Sequence, residues 1–431
     1  MHILFVSKEY PPNVVGGLGR YIERIAPYIG HAGHRLWVIT PNYPGQFPSF
    51  VFTKTHTIIR PPVKTRFWHD LHQWAMHNQL CAAIVHALVY LSFNLQTFLF
   101  IMSIKRIRGI DVVAIHDYTN LPLALVLRLA TRIPVVVHNH GTEMSMTAWG
   151  QARDRWRLIA MMERLLAWTA HAIIVPSHEM KKLLQQHGWD TRKVSVVAHG
   201  YEYAQHQKLD RHVSPDALDN VRQHLSLQTD QPVVVYVGRL NAVKGVFNLL
   251  DAMPAILAMC PDTRLILVGT GAEGTDDNAQ VAAYIHKLGL AASVYAYYRS
   301  LPVEQVLTHY LLANVCVFPS TFEPFGLVAL ESMALARPVV LGRGFSRVLT
   351  GMDPAAPTAL VAQGPHDVAQ HVVYLLTHPA EAQQMGRRAQ HYVTNTFTWA
   401  AAVEKTIAVY QTACHNRMNQ IRIGKDTALP D

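Results

Sequence analysis

Charge is scarce in this chain of 431 residues: only 16% are Asp, Glu, Lys or Arg, while half are hydrophobic. That balance excludes a disordered chain, which lacks the apolar residues a core requires. Cysteine is scarcer still. Cys81, Cys260, Cys316 and Cys414 stand far apart, form no metal-type pair, and read as buried apolar thiols in a reducing cytosol. The opening MHILFVSKEYPP lacks the basic stretch and long apolar core of a secretory signal, and reads as a short buried strand entering a loop. There is no short repeat and no low-complexity tract. A net charge of +9 favours anionic partners such as phosphorylated ligands or a membrane surface. No basic–aromatic motif supports nucleic acid as that partner. The 25 histidines add charge only below neutral pH.

One absence points the other way. From Leu71 to Ile104 there is no Asp, Glu, Lys or Arg, and by length the segment could span a bilayer. His86, Ser92, Asn94, Gln96 and Thr97 interrupt it, and a crossing helix would sever an alternating β/α domain between its strands. A helix of the N-terminal domain is therefore expected. A helix lying in the membrane interface, followed by Lys105, Arg106 and Arg108, is the alternative.

What the chain does have is alternation. Short β-rich runs (HILFVS, HRLWVIT, DVVAIH, PVVVHN, AIIVPS, VSVVAH) alternate with helical stretches, and a second series follows (PVVVYVG, RLILVG, VYAYY, VCVFPS, PVVLG). Continuous apolar runs suit parallel strands buried on both faces. At this length roughly two domains of about 200 residues are expected. The polar stretch between His199 and Asp230 reads as the crossing between them. The fold class is α/β, two doubly wound parallel-sheet domains, with the ligand expected in a central cleft at the carboxyl ends of the strands. Residues 1–205 read as the N-terminal domain and 206–397 as the C-terminal domain. Residues 398–415 read as a helix packing back on the first domain, and 416–431 as a frayed tail.

Four stretches carry chemistry. TFEPFGLVALE, Thr321 to Glu331, sets Glu323 and Glu331 on either side of a strand-to-helix turn. The amides of Phe325, Gly326 and Leu327 open the helix and suit an anion, while the carboxylates suit hydroxyl donors on either side of a phosphate. The alternative is a solvated Glu331 and a Glu323 that only complements the helix dipole. In VYVGRLNAVKGV, Gly238 opens a turn bearing Arg239, and Lys244 follows beside Gly245. A planar fork and a mobile ammonium suit a diphosphate whose charge grows as it leaves. In SKEYPPNVVGGLGRY, Gly16, Gly17 and Gly19 introduce a helix, without the GxGxxG spacing of a dinucleotide loop. In PVVVHNHGTEM, His138 and His140 follow a buried strand; metal ligation would need a third ligand that the neighbouring sequence does not supply. His116 and Asp117, in IHDY, end an earlier strand.

Together these residues resemble the retaining family-4 glycosyltransferases of the GT-B fold, over nearly the whole chain. The resemblance rests on GGLGRY (16–21), HGTE (140–143), VPS (175–177), VGRLNAVKG (237–245), LVGTGAEG (267–274) and PSTFEPFGLVALESMA (319–334). The last is the family's Glu-x7-Glu signature. The resemblance implies a cytoplasmic hexosyltransferase of glycan biosynthesis that takes a nucleoside diphosphate sugar. Arg239 and Lys244 would grip the donor diphosphate beside Gly238. Glu331 would bind the ribose hydroxyls, and Glu323 with the Phe325, Gly326 and Leu327 amides would bind sugar and phosphate. Gly16 and Gly17 would line the phosphate from the first domain, and His140 would contact the sugar. No Asp-x-Asp occurs, as expected where cations replace a metal, so neither metal nor cofactor is expected beyond the nucleotide-sugar co-substrate. Three departures stand out. Val14 replaces the lysine of glycogen synthases, His199-Gly200-Tyr201-Glu202 replaces the usual NGVD, and a glycine of the base-binding loop is missing near Tyr298. The acceptor hydroxyl is unassigned, and the uncharged segment points to a peripheral contact at the inner membrane face. A nucleotide-sugar 2-epimerase and a non-catalytic nucleotide-sugar-binding protein are the rival readings.

Overall fold

The computed structural model describes residues 1–14, 17–42, 47–61, 79–142, 154–203, 215–271, 275–351 and 353–426. The chain divides into two units, one of Met1–Gly200 with Trp399–Asp431 and one of Tyr201–Thr398.

The first unit carries an eight-stranded sheet built from β1 (His2–Val6), β2 (Arg35–Ile39), β3 (Phe50–Phe52), β4 (Thr57–Ile59), β5 (Val112–Ile115), β6 (Val135–His138), β7 (Ala172–Val175) and β8 (Val194–Val196). Their order is β3-β4-β2-β1-β5-β6-β7-β8. Every pairing is parallel except β3 with β4. β1, β5, β6 and β7 are fully buried along almost their whole length, which is why they read as unbroken apolar runs. β3 and β4 do not stand out in the sequence. Each has three residues, too few to show a period, and Phe50 and Phe52 of the edge strand are 51% and 79% exposed.

Helices α1 (Gly17–His31), α2 (Gln79–Arg108), α3 (Leu121–Ala130), α4 (Asp154–Thr169) and α5 (His178–Gln186) connect these strands. The chain runs one way from β1 to β2 and the other way from β4 through β5, β6, β7 and β8. Right-handed crossovers then put α1 on one face of the sheet and α2, α3, α4 and α5 on the opposite face. α3 packs between α2 and α4. The strand order reverses between β1 and β5, the place where open α/β sheets bind ligands.

In the second unit β9 (Val233–Val237), β10 (Arg264–Gly269), β11 (Val294–Tyr298), β12 (Val315–Phe318), β13 (Val339–Gly342) and β14 (Leu360–Ala362) form a sheet ordered β11-β10-β9-β12-β13-β14. All its pairings are parallel. Its helices are α6 (Pro215–His224), α7 (Val246–Met259), α8 (Asp277–Lys287), α9 (Val303–Leu312), α10 (Leu327–Ala334), α11 (Pro365–Thr377) and α12 (Pro379–Thr396). The order reverses between β9 and β12, so the loops that leave these two strands face one another. The last helix, α13 (Trp399–Asp426), returns to the first unit. Its Trp399, Val403, Ile407 and Tyr410 join the core formed by Ile3, Phe5, Ile22 and Ile25.

Fraying is expected beyond Asn416, yet the helix continues to Asp426. At Arg417 the guanidinium donates to the Thr131 carbonyl at 3.0 Å and ties that turn to the end of α3.

Candidate active site

The β9 and β12 loops are stitched together before any ligand arrives. The Asn241 side chain accepts from the Lys244 amide at 3.0 Å and caps a single 3-10 turn. Gly245 ends that turn in the left-handed region, at φ 74°, and a Cβ there would lie 2.0 Å from the Pro319 carbonyl oxygen. Only glycine lets the two loops approach so closely. Both the amide and the hydroxyl of Thr321 donate to the Val243 carbonyl at 3.0 Å. The Glu323 amide donates to Gly344 at 3.1 Å.

On that frame Lys244 Nζ meets Glu323 Oε2 at 2.6 Å, with the two side chains 23% and 13% exposed. The pair joins residues 79 positions apart in the chain. Tyr236, fully buried at the end of β9, donates to the Arg239 carbonyl at 2.6 Å. Its hydroxyl is held un-ionised first by burial and then by the Glu323 charge, with Arg239 acting in the opposite sense. Arg239 itself is exposed. Arg239, Lys244 and Glu323 are thus gathered around the mouth of the β9–β12 reversal.

Gly326 stands at φ 103° as the N-cap of α10, and a Cβ there would sit 2.3 Å from the Phe345 ring. The helix opens at Leu327, and its first amides have no intrahelical acceptor. Phe325 is a core residue, 2% exposed, set edge-on to Phe397 at 5.6 Å. The ring is therefore committed to the core. One turn into α10, Glu331 accepts from the buried Tyr310 hydroxyl at 3.4 Å. Gly238 lies in the same loop as Arg239, its amide donating to Val268 at 3.0 Å.

Sequence reasoning missed Tyr236, Asn241 and Tyr310. Asn241 was legible as a polar cap three residues before Lys244. A tyrosine inside an apolar strand or helix gives no such signal.

In the first unit, Gly17 is exposed, with open space where a Cβ would lie, and Gly16 falls outside the described residues. His140 sits in a group that the sequence did not disclose. His116, which follows β5, supplies the third imidazole that seemed missing beside His138 and His140: one nitrogen of each lies within 4.8 Å of the others. This corrects the expectation that no third ligand is at hand. The arrangement is nevertheless that of a hydrogen bond. His116 Nδ1 and His140 Nε2 are 3.2 Å apart, in rings only 10° from coplanar with centroids 5.5 Å apart, so the two nitrogens face head-on. A metal between two nitrogens facing head-on would need two bonds of about 2.0–2.1 Å end to end, more than that gap allows. His138 is held from both sides, by Tyr410 at 2.6 Å and Tyr21 at 3.5 Å. His116 Nε2 and His140 Nδ1 are buried without a hydrogen-bond partner.

Burial drives the pKa of His116, His138 and His199 well below the ordinary histidine value, and the neighbouring imidazoles push the same way. Burial alone brings His140 down to about 3. Groups with depressed folded-state pKa bind protons more readily once unfolded. Stability is therefore whole above the unfolded value of about 6.5 and falls as pH drops from there toward 3. Each of the four histidines adds a slope of up to about 1.4 kcal/mol per pH unit. Denaturant midpoints measured from pH 7 to 4 should fall steeply for the wild-type chain and less steeply for His116→Gln.

Two family models match. Residues 15–205 fit the model described as Glycosyltransferase Family 4, and residues 219–392 fit Glycosyl transferases group 1. The chain is 30% identical over 322 residues to the D-inositol 3-phosphate glycosyltransferase of Corynebacterium diphtheriae, covering 71% of this chain and 73% of that protein. The chain belongs to glycosyltransferase family 4. Similarity to the glycogen synthase of Mycobacterium tuberculosis extends over all of both chains, at 28% identity across 447 residues. Among solved structures, the sucrose-phosphate synthase of Thermosynechococcus elongatus superposes with a TM-score of 0.71 over 95% of this chain and 98% of its own, at 22% identity. The HepE protein of Anabaena, solved in complex with UDP and glucose, gives 0.67 at 17% identity over 96% of this family-4 chain and the whole of its own. The architecture is thus GT-B, two parallel-sheet α/β domains of a glycosyltransferase.

Proposed function

We propose that this family-4 enzyme transfers a hexose, with retention of anomeric configuration, from a nucleoside diphosphate sugar to an acceptor hydroxyl. The observation that carries the reading is the Lys244–Glu323 contact, 2.6 Å long, on loops that converge at the β9–β12 reversal. An ammonium and a carboxylate held together, beside Arg239 and the first amides of α10, form a set able to divide one ligand between them. The diphosphate draws Lys244 and Arg239, a sugar hydroxyl donates to Glu323, and a ribose hydroxyl donates to Glu331. His140, which follows β6, would contact the sugar. The Gly16 and Gly17 phosphate role rests on the motif alone.

In the proposed reaction the bond between sugar C1 and phosphate oxygen breaks as the acceptor oxygen bonds C1 on the same face. The acceptor proton passes to the departing phosphate oxygen. Lys244 and Arg239 stabilise the charge that gathers on the diphosphate, a contribution that grows toward the transition state. These cations take the place a divalent metal would otherwise fill, so transfer is expected to persist in chelator. A cytoplasmic setting with peripheral membrane contact belongs to the same proposal.

The test is a mass-spectrometric screen of nucleoside diphosphate sugars for binding and hydrolysis, followed by proton NMR of the glycoside. Binding of one donor and a product with the donor's anomeric configuration is the expected result. An inverted product would refute the mechanism, and release of an epimerised sugar without glycoside would favour the epimerase.

A further inference from the structure

Helix α2 buries one side and leaves the other open: Phe93 and Ile101 are fully buried, and among them Asn94 and Thr97 are 2% and 0% exposed. The Asn94 side chain accepts from the Leu123 amide at 3.1 Å and donates to the Thr119 carbonyl at 3.0 Å, and so pins α2 to the start of α3. Ser92 and Gln96 bond each other at 3.1 Å. The opposite side is aliphatic. Ile84, Leu88, Leu91, Leu95 and Leu99 follow helical spacing and are 44–59% exposed. The stretch Ala87–Ile104 has a mean hydropathy of 1.7, and only 22% of it is buried.

The exposed apolar surface does not stop at α2. On α3, which packs against it, Leu129 is 74% exposed. On α4, the next helix of the layer, Leu158, Met161, Leu165 and Trp168 repeat the helical spacing at 39–58% exposure. An apolar face shared by three adjacent helices is far from the scattered leucines of an ordinary surface. Its charge selects the occupant. On α3 and α4, Arg128 is half-buried and Arg157 and Arg164 are exposed, whereas Glu163 is buried; in sequence α2 ends on Lys105, Arg106 and Arg108. Two copies of so cationic a face would repel each other, whereas an anionic lipid surface complements it. Trp168, with the Arg128 guanidinium 5.9 Å from its ring, combines an apolar body with a polar edge, as the headgroup region favours.

We infer that the α2–α3–α4 face lies on an anionic lipid surface, with α2 in the plane of the interface. Crossing the bilayer is not open to α2, because it is the crossover between β4 and β5 of one hydrogen-bonded sheet. The inference deepens the membrane-proximal part of the proposed function. It does not depend on the transfer chemistry, since vesicle binding and donor hydrolysis are separate measurements.

The full chain should co-sediment with vesicles of phosphatidylcholine containing a quarter phosphatidylglycerol, much less with phosphatidylcholine alone, and less as salt is raised. Leu91→Glu combined with Leu95→Glu should lower partitioning on the order of tenfold or more and leave thermal unfolding and donor hydrolysis unchanged. Should that pair impair folding, Leu95→Asn alone should still reduce binding. The inference is overturned if the wild type stays in the supernatant with both lipids at low salt, or if the leucine variants bind as it does. It is also overturned if the wild type is a dimer that the variants split and that binds no vesicle.

Discussion

Lys244→Ala should lower turnover by about 10²–10³-fold and change the melting temperature by only a few degrees. The asymmetry follows from what holds the loop in place. The turn at Ala242–Lys244 is fixed by the Asn241 cap, by the two Thr321 bonds to Val243 and by the left-handed Gly245. None of these uses the lysine side chain. The Lys244–Glu323 pair retains 23% and 13% side-chain exposure, so the Glu323 left behind can be hydrated or take up a proton, which holds the cost to about 1 kcal/mol. Its loss then corresponds to roughly 2–4 °C for a domain of this size. Proposed catalysis asks far more of the same atom, because the ammonium must neutralise a diphosphate as its charge develops. Steady-state kinetics and a melting curve on one preparation give both quantities. Transfer at the wild-type rate would remove Lys244 from the donor site.

Gly245→Ala should do the reverse and unfold the second unit at much lower denaturant. A Cβ at Gly245 would meet the Pro319 carbonyl oxygen at 2.0 Å and its carbon at 2.5 Å. Both are backbone atoms, which cannot swing aside as a flexible side chain would. Alanine must also accept a φ of 74°. Strain of about 1–3 kcal/mol and overpacking of about 1–3 kcal/mol together remove a large part of an ordinary domain's stability. Chemical denaturation checks this directly. A midpoint within error of wild type would mean that the β9 and β12 loops are not held in contact.

The long parallel strands were legible because burial on both faces removes the need for polar residues, and VVAI or VVVH can do little else in a globular chain. β3, β4 and β14 were not, since a three-residue strand carries no period. The candidate site was legible where its chemistry is carried by unlike residues at fixed spacing. Glu323, Glu331, Arg239 and Lys244 stand out against apolar neighbours. What could not be read is pairing across the chain. Nothing local indicates that Lys244 reaches Glu323, or that His116 meets His140 from another strand end, because those contacts are made by sheet order. The polar residues within the Leu71–Ile104 segment read as interruptions. The structure turns Asn94 and Thr97 inward, where Asn94 anchors the helix, and leaves the leucines of the other side exposed.

Unit one is discontinuous in sequence, and this orders events at the ribosome. The stretch Tyr201–Thr398 closes on itself, the Tyr201 amide donating to Phe397 at 2.7 Å, and all of it is synthesised before the helix that the first unit requires. The older half, begun first, must wait: Ile3, Phe5, Ile22 and Ile25 remain uncovered until Trp399 and Tyr410 arrive. The first unit therefore cannot be complete until the last helix has been made.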